Sequence, residues 1–96
     1  MAAYIIADIT VTNEAQMVAY REMSTRAMRE HGAEVVIRGG AIHVLEGGWS
    51  PKRIVVLKFS DGAAARAYYD SETYTQARKL REGAGTIDMI VVDGVD

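Results

Sequence analysis

The side chains best suited to chemistry are concentrated between Ile37 and Arg53, where glycines separate two arginines, a glutamate and a tryptophan. Arg38 and Arg53 stand near the ends of this segment, and each guanidinium group can hold a carboxylate through two parallel hydrogen bonds. Trp49 follows two glycines, and an aromatic side chain on a loop suits a cleft or a partner contact better than a core. Arg38, Trp49 and Arg53 are therefore predicted to line a cleft that binds a small acid.

The same charges also have a structural interpretation. If Arg38 or Arg53 pairs with Glu46, the ion pair only holds the loop, and residue types alone do not separate that role from ligand binding. Glu46 is a candidate general base, because burial would raise the pKa of its carboxyl group. His31 is a second candidate base at the end of the first predicted helix, although a lone histidine there more often caps the helix or packs in the core.

Two tyrosines complete the set of candidate site residues. Tyr69 and Tyr74 stand on either side of a predicted helix break near Asp70, and both are candidate ligand-binding residues. The alternative is that they are core residues whose hydroxyl groups reach solvent, which is the commoner role of tyrosines on amphipathic helices. His43 has no second histidine at helical or hairpin spacing, so no metal site is predicted. The sequence has no phosphate-binding loop either, and no cofactor is predicted.

Length and charge narrow the classes of function. The 96 residues are predicted to form one domain, residues 1–96, and a chain this short buries only about two-thirds of its unfolded surface. Because it has no cysteine to form disulfides, a homodimer is the predicted way to bury more apolar surface. A net charge of −2 without a basic block argues against nucleic acids and anionic membranes as partners. The sequence has no membrane-span-length apolar run and no signal-peptide pattern, so a cytoplasmic protein is predicted.

The elements that position the candidate residues follow from hydrophobic periodicity. Apolar side chains alternate over residues 4–11, as in a strand, and then recur at three- and four-residue steps, as in an amphipathic helix. Asn13 and Gln16 form a capping pair at the start of that helix, and Gly32 ends it. Gly39-Gly40 supplies positive φ for a hairpin turn or a bulge. The predicted strands are 4–11, 33–38 with 41–46, 53–59 and 86–92, where 33–38 and 41–46 form either one bent strand or a tight hairpin. The predicted helical segments are 14–31 and 63–81, the second broken near Asp70.

The order of these elements is β-α-β-β-α-β. It predicts an α+β, ferredoxin-like fold whose antiparallel sheet carries its helices on one face. The other sheet face then exposes Ile6, Ile54 and Val56, which is too apolar a surface for a monomer, and a second copy packed against it would bury them. Asp8 and Lys58 fall on this same face by strand parity and are candidates for a cross-strand ion pair in that interface.

Several motifs follow one another along the chain: Arg38-Gly39-Gly40, Glu46-Gly47, Trp49, Pro51, Arg53, Phe59-Ser60, Ala64-Ala65-Arg66-Ala67-Tyr68-Tyr69, Ser71 and Tyr74. Together they resemble the bacterial domain of unknown function numbered 1330, and the resemblance covers nearly the whole chain. That family belongs to the dimeric α/β-barrel superfamily, so the resemblance implies ferredoxin-like subunits that pair as a dimeric α/β barrel. Relatives in the superfamily include cofactor-free monooxygenases, muconolactone isomerases and stress-response barrels, so the resemblance implies an architecture and not one activity.

Three functions follow as alternatives. The first is a homodimeric protein that binds a polar or aromatic-acid metabolite in a cleft lined by Arg38, Trp49, Arg53 and a tyrosine. The second is a cofactor-independent enzyme of the isomerase or monooxygenase kind, with His31 or Glu46 as base and an arginine that stabilises an enolate-like oxyanion. The third is a non-catalytic structural or interaction module. Because no nucleophile and base occur at a recognised spacing, binding is the favoured function.

Overall fold

The strand Ala3–Val11, one of the two interior strands of the sheet, owes its position to the alternation of its side chains. In the computed structural model, which describes residues 1–96, Ile5, Ala7 and Ile9 are buried under the helices. Both edges of this strand are hydrogen-bonded to neighbouring strands. The strands are β1 (Ala3–Val11), β2 (Glu34–Arg38), β3 (Ile54–Phe59) and β4 (Gly85–Asp93), and the helices are α1 (Glu14–Glu30), α2 (Gly62–Asp70) and α3 (Glu72–Leu80).

The four strands form one antiparallel sheet in the order β2-β3-β1-β4. Each helical region leads from a central strand to an edge strand: α1 connects β1 with β2, and α2 and α3 connect β3 with β4. The predicted α+β, ferredoxin-like fold is therefore confirmed. None of the helices has the length and apolar character needed to span a membrane.

Side-chain contacts at the start of α1 tie it to the end of α3. Asn13 Oδ1 accepts a hydrogen bond from the backbone N–H of Gln16 at 3.1 Å, which confirms the predicted N-cap. The Gln16 side chain does not return to the Asn13 backbone, as it would in a complete capping box. Its Nε2 instead donates to the carbonyl oxygens of Leu80 and Glu82, at 3.0 and 2.6 Å. These bonds fix one rim of a cleft described below.

The other helix boundaries agree closely with the sequence pattern. α1 ends at Glu30, one residue before its predicted end, and Gly32 has the φ of 66° expected of a glycine that terminates a helix. The side chains of Asp61 and Ser71 cap α2 and α3 by accepting from backbone N–H groups. The predicted break near Asp70 is confirmed, because α2 ends there and α3 begins two residues later.

Aromatic rings fill the core between the helices and the sheet. Phe59, Tyr68 and Tyr74 are the largest fully buried side chains. The ring centroids of Tyr68 and Tyr74 are 4.7 Å apart and those of Phe59 and Tyr68 are 5.3 Å apart, distances typical of favourable aromatic pairs. Tyr20 joins the group through a 2.8 Å hydrogen bond between its hydroxyl and that of Tyr74. Burial raises the pKa of Tyr68 and Tyr74, so both phenols stay neutral.

The predicted strand over residues 41–46 is wrong. Gly39 takes the predicted positive φ, at 65°, but it begins a long irregular loop instead of a short hairpin turn. Every residue from 40 to 50 is exposed, and Leu45 is 97% exposed. A strand is stabilised by its neighbours and by a buried face more than by its own composition, and this segment has neither. We call residues 39–53 the β2–β3 loop.

The sheet face opposite the helices, here called the open face, is apolar across its central and edge strands. Ile6 lies opposite Val56 on one side and Ile90 on the other, and Val92 follows along β4. Ile90 is 59% exposed and Val92 is 42% exposed. The predicted apolar second face is therefore present.

The predicted ion pair between Asp8 and Lys58 on this open face is wrong. Strand parity places both residues on the face, but the β1–β3 register puts Lys58 opposite Tyr4 and Asp8 opposite Ile54. Lys58 Nζ instead lies 3.3 Å from a carboxylate oxygen of Asp96. Parity identifies the face of a residue, whereas the partner depends on a register that only pairing sets.

Candidate functional site

A cleft between α1 and the β2–β3 edge of the sheet is lined by three arginines. Arg21 comes from α1, Arg38 from the end of β2 and Arg53 from the residue before β3. The cleft has a volume of about 120 Å³. We call it the arginine cleft. Its apolar lining residues are Ile9, Met17, Tyr20, Met28, Val35, Val55 and Leu57.

The first glycine of the Arg38-Gly39-Gly40 motif makes room for the guanidinium group of Arg53. A Cβ atom on Gly39 would lie 2.6 Å from Arg53 Nη1 and 2.7 Å from Arg53 Cζ, much closer than such atoms approach. Gly39 also has a φ of 65°, a conformation that other residues rarely adopt. The glycine therefore suits the chain direction, and any larger residue here would displace the guanidinium group of Arg53 from its position over the cleft.

Charge in the arginine cleft is only partly balanced. Glu14 forms an ion pair with Arg21, whose hydrogen bond lowers the pKa of the Glu14 carboxyl group, and Arg53 adds a smaller lowering. Arg38 and Arg53 form no salt bridge with any carboxylate of the chain, and neither guanidinium group donates a hydrogen bond to another residue. Two cationic forks above an apolar floor are the donor arrangement that a carboxylate or another oxyanion requires.

A second cleft, of about 340 Å³, lies on the other side of α1, where α3 ends beside β1 and β4. It is lined by Tyr69, Arg78 and Arg81, and we call it the tyrosine–arginine cleft. Ile9 and Met17 line both clefts. The two clefts therefore share an apolar partition under the first half of α1.

Aromatic faces, and not carboxylates, hold the two arginines of this second cleft. The Cζ atom of Arg78 lies 4.3 Å from the ring centroid of Tyr69, and its Nη1 donates to the Tyr69 hydroxyl at 3.0 Å. The Cζ atom of Arg81 lies 5.2 Å from the ring centroid of Tyr20. Arg78 Nε is buried without any hydrogen-bond partner, a state that costs about 1–3 kcal/mol for a typical donor.

The structure brings some of the predicted site residues together and separates others. Arg38 and Arg53 line the same cleft, as expected, whereas Trp49 does not line it. Trp49 is 66% exposed and its Nε1 donates to Asp8 Oδ2 at 3.1 Å, so its indole lies against the open face. Glu46 is exposed in the β2–β3 loop and lines neither cleft.

The remaining candidates lie on the helical side of the sheet. Tyr69 is half-buried and lines the tyrosine–arginine cleft, while Tyr74 is fully buried in the aromatic core. His31 is half-buried at the C-terminal end of α1, where its Nδ1 donates to the carbonyl oxygen of Ala27 at 3.0 Å. Its ring meets Tyr68 edge-on and lines neither cleft. The capping role weighed for His31 matches this contact.

Sequence reasoning missed three arginines that the clefts contain. Arg21 follows the buried Met17 by four residues, and Arg78 follows the buried Tyr74 by four residues. Arg81 follows the buried Ala77 by the same step. Charged residues one helical turn after core positions lie at the border of the buried face, and this spacing was the available signal.

Known proteins with similar architecture support the fold. A protein of unknown function from Rhodopseudomonas palustris has a TM-score of 0.79 at 16% identity, covering 99% of this chain and 83% of its own. A dimeric ferredoxin-like protein of unknown function from Jannaschia sp. CCS1 has a TM-score of 0.64 at 15% identity, covering 98% of this chain and 100% of its own. A candidate antibiotic biosynthesis monooxygenase from Nitrosomonas europaea has a TM-score of 0.58 at 16% identity, covering 98% of this chain and 89% of its own.

At these identities the similarity shows the fold alone. No curated protein matches the chain in sequence. The family model described as domain of unknown function DUF1330 matches residues 2–95, which is nearly the whole chain. The resemblance carried by the Arg38-Gly39-Gly40 motif and the motifs that follow it is thereby confirmed. This chain belongs to the DUF1330 family.

Proposed function

We propose that this protein binds a small polar or aromatic carboxylic acid in the arginine cleft. The observation that carries the proposal is that Arg38 and Arg53 face an apolar-floored cleft and have no carboxylate partner in the chain. A ligand carboxylate would supply the missing acceptors, and its apolar body would contact the floor formed by residues such as Met28 and Val55.

The volume of the cleft limits the size of the ligand. Water takes up about 30 Å³ per molecule in the liquid, so a cleft of about 120 Å³ holds the equivalent of roughly four waters. That space suits the carboxylate and a compact apolar group of an acid. The cleft also opens to solvent, so part of a longer ligand would extend outside it.

We also infer that the functional unit is a homodimer formed through the open face. The protein from Jannaschia sp. CCS1 that shares this fold is dimeric. Ile6, Val56, Ile90 and Val92 form an apolar surface that water disfavours, and a second copy of the chain would remove it from solvent. Trp49 lies against this face, so its role in this proposal is a contact with the partner.

A cofactor-independent isomerase or monooxygenase-like enzyme is the alternative, and a structural module is the third function considered. Neither His31 nor Glu46, the two candidate bases, lines the arginine cleft. A base must come within hydrogen-bond reach of the proton that it abstracts. The geometry therefore favours binding, and the proposal includes no chemical step.

Titration calorimetry with matched acid and amide pairs tests the proposal. Benzoate and acetate should bind saturably, whereas benzamide and acetamide should not, because the amides lack the charge that the guanidinium groups select. Arg38→Lys and Arg53→Lys should each weaken acid binding about tenfold, since lysine keeps the charge but loses the bidentate fork. Arg29→Lys, an exposed arginine outside the clefts, is the control and should bind like the wild type.

Equal binding of acids and amides, or equal affinity in Arg38→Lys and Arg29→Lys, would contradict the ligand-clamp role. If no acid binds while the protein remains dimeric in sedimentation experiments, the structural-module function replaces the proposal. Turnover of a bound acid in the wild type would instead support the enzymatic alternative.

A further inference from the structure

The tyrosine–arginine cleft has features that the proposed acid-binding site does not explain. It is the larger of the two clefts, at about 340 Å³, which is within the range of small-molecule sites. Arg78 and Arg81 both line it, and neither forms a salt bridge. Glu82 is the only acidic residue in the lining, and its side chain is exposed.

Hydrogen-bond donors in this cleft outnumber their acceptors. Arg78 Nη1 donates to the Tyr69 hydroxyl and Nη2 to Thr75 Oγ1, and each of these nitrogens carries a second N–H group with no acceptor in the chain. Because the Tyr69 oxygen already accepts from Arg78, its own proton remains available for donation. Arg81 donates no hydrogen bond to any side chain and rests over the ring of Tyr20.

The walls of the cleft hold these donors in position. The stack of Arg78 on Tyr69 fixes the plane of its guanidinium group. The bonds from Gln16 to the carbonyl oxygens of Leu80 and Glu82 anchor the turn that follows α3. Donors held in place before a ligand arrives lose little freedom on binding, which favours affinity.

We propose that the tyrosine–arginine cleft is a second ligand site, which binds the oxyanion group, phosphate or carboxylate, of a small molecule. Arg78 and Arg81 supply the positive charge, and the Tyr69 hydroxyl supplies a neutral donor beside them. The site is separate from the arginine cleft, from which Ile9 and Met17 divide it. Each protomer therefore binds two anionic groups at different places.

Titration with inorganic phosphate and with acetate, against sodium chloride at equal ionic strength, tests this site. Phosphate or acetate should bind saturably to the wild type, and replacement of Arg78 should weaken that binding. The anion with the lower Kd identifies the oxyanion group that the ligand carries. Arg78→Lys and Arg81→Lys should each raise the Kd of that anion about tenfold, because lysine lacks the planar fork. Arg29→Lys should leave the Kd unchanged.

Circular dichroism establishes that each variant is folded, and the half-buried Arg81 provides a second test if Arg78→Lys loses its fold. Arg53→Lys separates the two clefts: it should weaken binding at the arginine cleft while the Arg78-dependent binding persists. The inference is overturned if neither anion binds saturably, or if the Kd is unchanged in Arg81→Lys. It is also overturned if Arg53→Lys abolishes all anion binding while Arg78→Lys and Arg81→Lys retain it.

Discussion

The two faces of the sheet carry similar apolar side chains but have different surroundings. On the covered face, Ile5, Leu57 and Phe59 lie under the helices and are nearly inaccessible to water. On the open face, Ile6 and Val56 occupy the alternate positions of the same two strands, and no element of the chain covers them. Strands that are apolar on both faces are typical of sheets covered on both sides.

This difference fits the proposed dimer, because the covered face forms the core and the open face leaves an apolar surface for a second copy of the chain. A small domain buries a limited share of its surface, and further burial then has to come from another molecule. Both arginine-lined clefts are on the covered side, whereas Trp49 lies on the open side. The proposed ligand binding and the proposed self-association are therefore expected to respond to different substitutions.

The largest expected effect comes from emptying the covered face. Phe59→Ala should lower the free energy of unfolding by about 3–5 kcal/mol, because it removes a buried ring and leaves a cavity beside Tyr68. Urea denaturation followed by circular dichroism measures the loss. A change below about 1 kcal/mol would mean that the aromatic core repacks without difficulty.

A smaller effect, confined to assembly, is expected on the open face. Val56→Glu should weaken the dimer by roughly 2–3 kcal/mol, because burial of an unpaired carboxylate in the interface is unfavourable. Val18→Glu, at an exposed position on α1, is the matched control. Sedimentation equilibrium should show monomers only for Val56→Glu. Unchanged association of both variants would place the interface elsewhere.

Gly32 and Gly39, near the edge of the covered face, have similar φ values but different neighbours. Gly32→Ala should lower the free energy of unfolding by about 1 kcal/mol, because alanine is strained at a φ of 66°. The new Cβ atom would meet no other atom within 4 Å. Gly39→Ala should also displace Arg53, whose Nη1 would lie 2.6 Å from the new Cβ. Urea midpoints measure the strain, and acid affinity should fall in Gly39→Ala alone. Equal acid affinity in both variants would contradict the positioning role of Gly39.

The smallest expected effect is the pH dependence contributed by Glu14. Its pKa is lowered in the folded protein by the hydrogen bond from Arg21, so its contribution to stability is present above the ordinary glutamate pKa and is lost as pH falls through the lowered value. Glu14→Gln should therefore reduce the difference in melting temperature between neutral and acidic pH. Because the pair is exposed, the reduction should be slight. If Glu14→Gln leaves the difference in melting temperature unchanged, the ion pair between Glu14 and Arg21 contributes nothing to the pH dependence of stability.

Much of the fold could be predicted from the sequence because local rules decide it. Alternation identified β1, a nearly continuous apolar run identified β4, and capping side chains at Asn13 and Ser71 identified where helices begin. The strand predicted at 41–46 is absent because strand formation depends on a neighbouring strand and on burial, and β-rich composition indicates neither. The pairing of Asp8 with Lys58 failed because parity does not determine register.

The candidate site was predictable only in part. The residue types, the positive φ of Gly39 and the apolar character of both sheet faces followed from the sequence, whereas the contact of Gly39 with Arg53 did not. Only the tertiary structure decided that Arg21 joins Arg38 and Arg53, and that Arg78 and Arg81 form a second group with Tyr69. The physical reason is that spacing along a chain sets the face of each element, whereas convergence of side chains depends on how whole elements cross and pack.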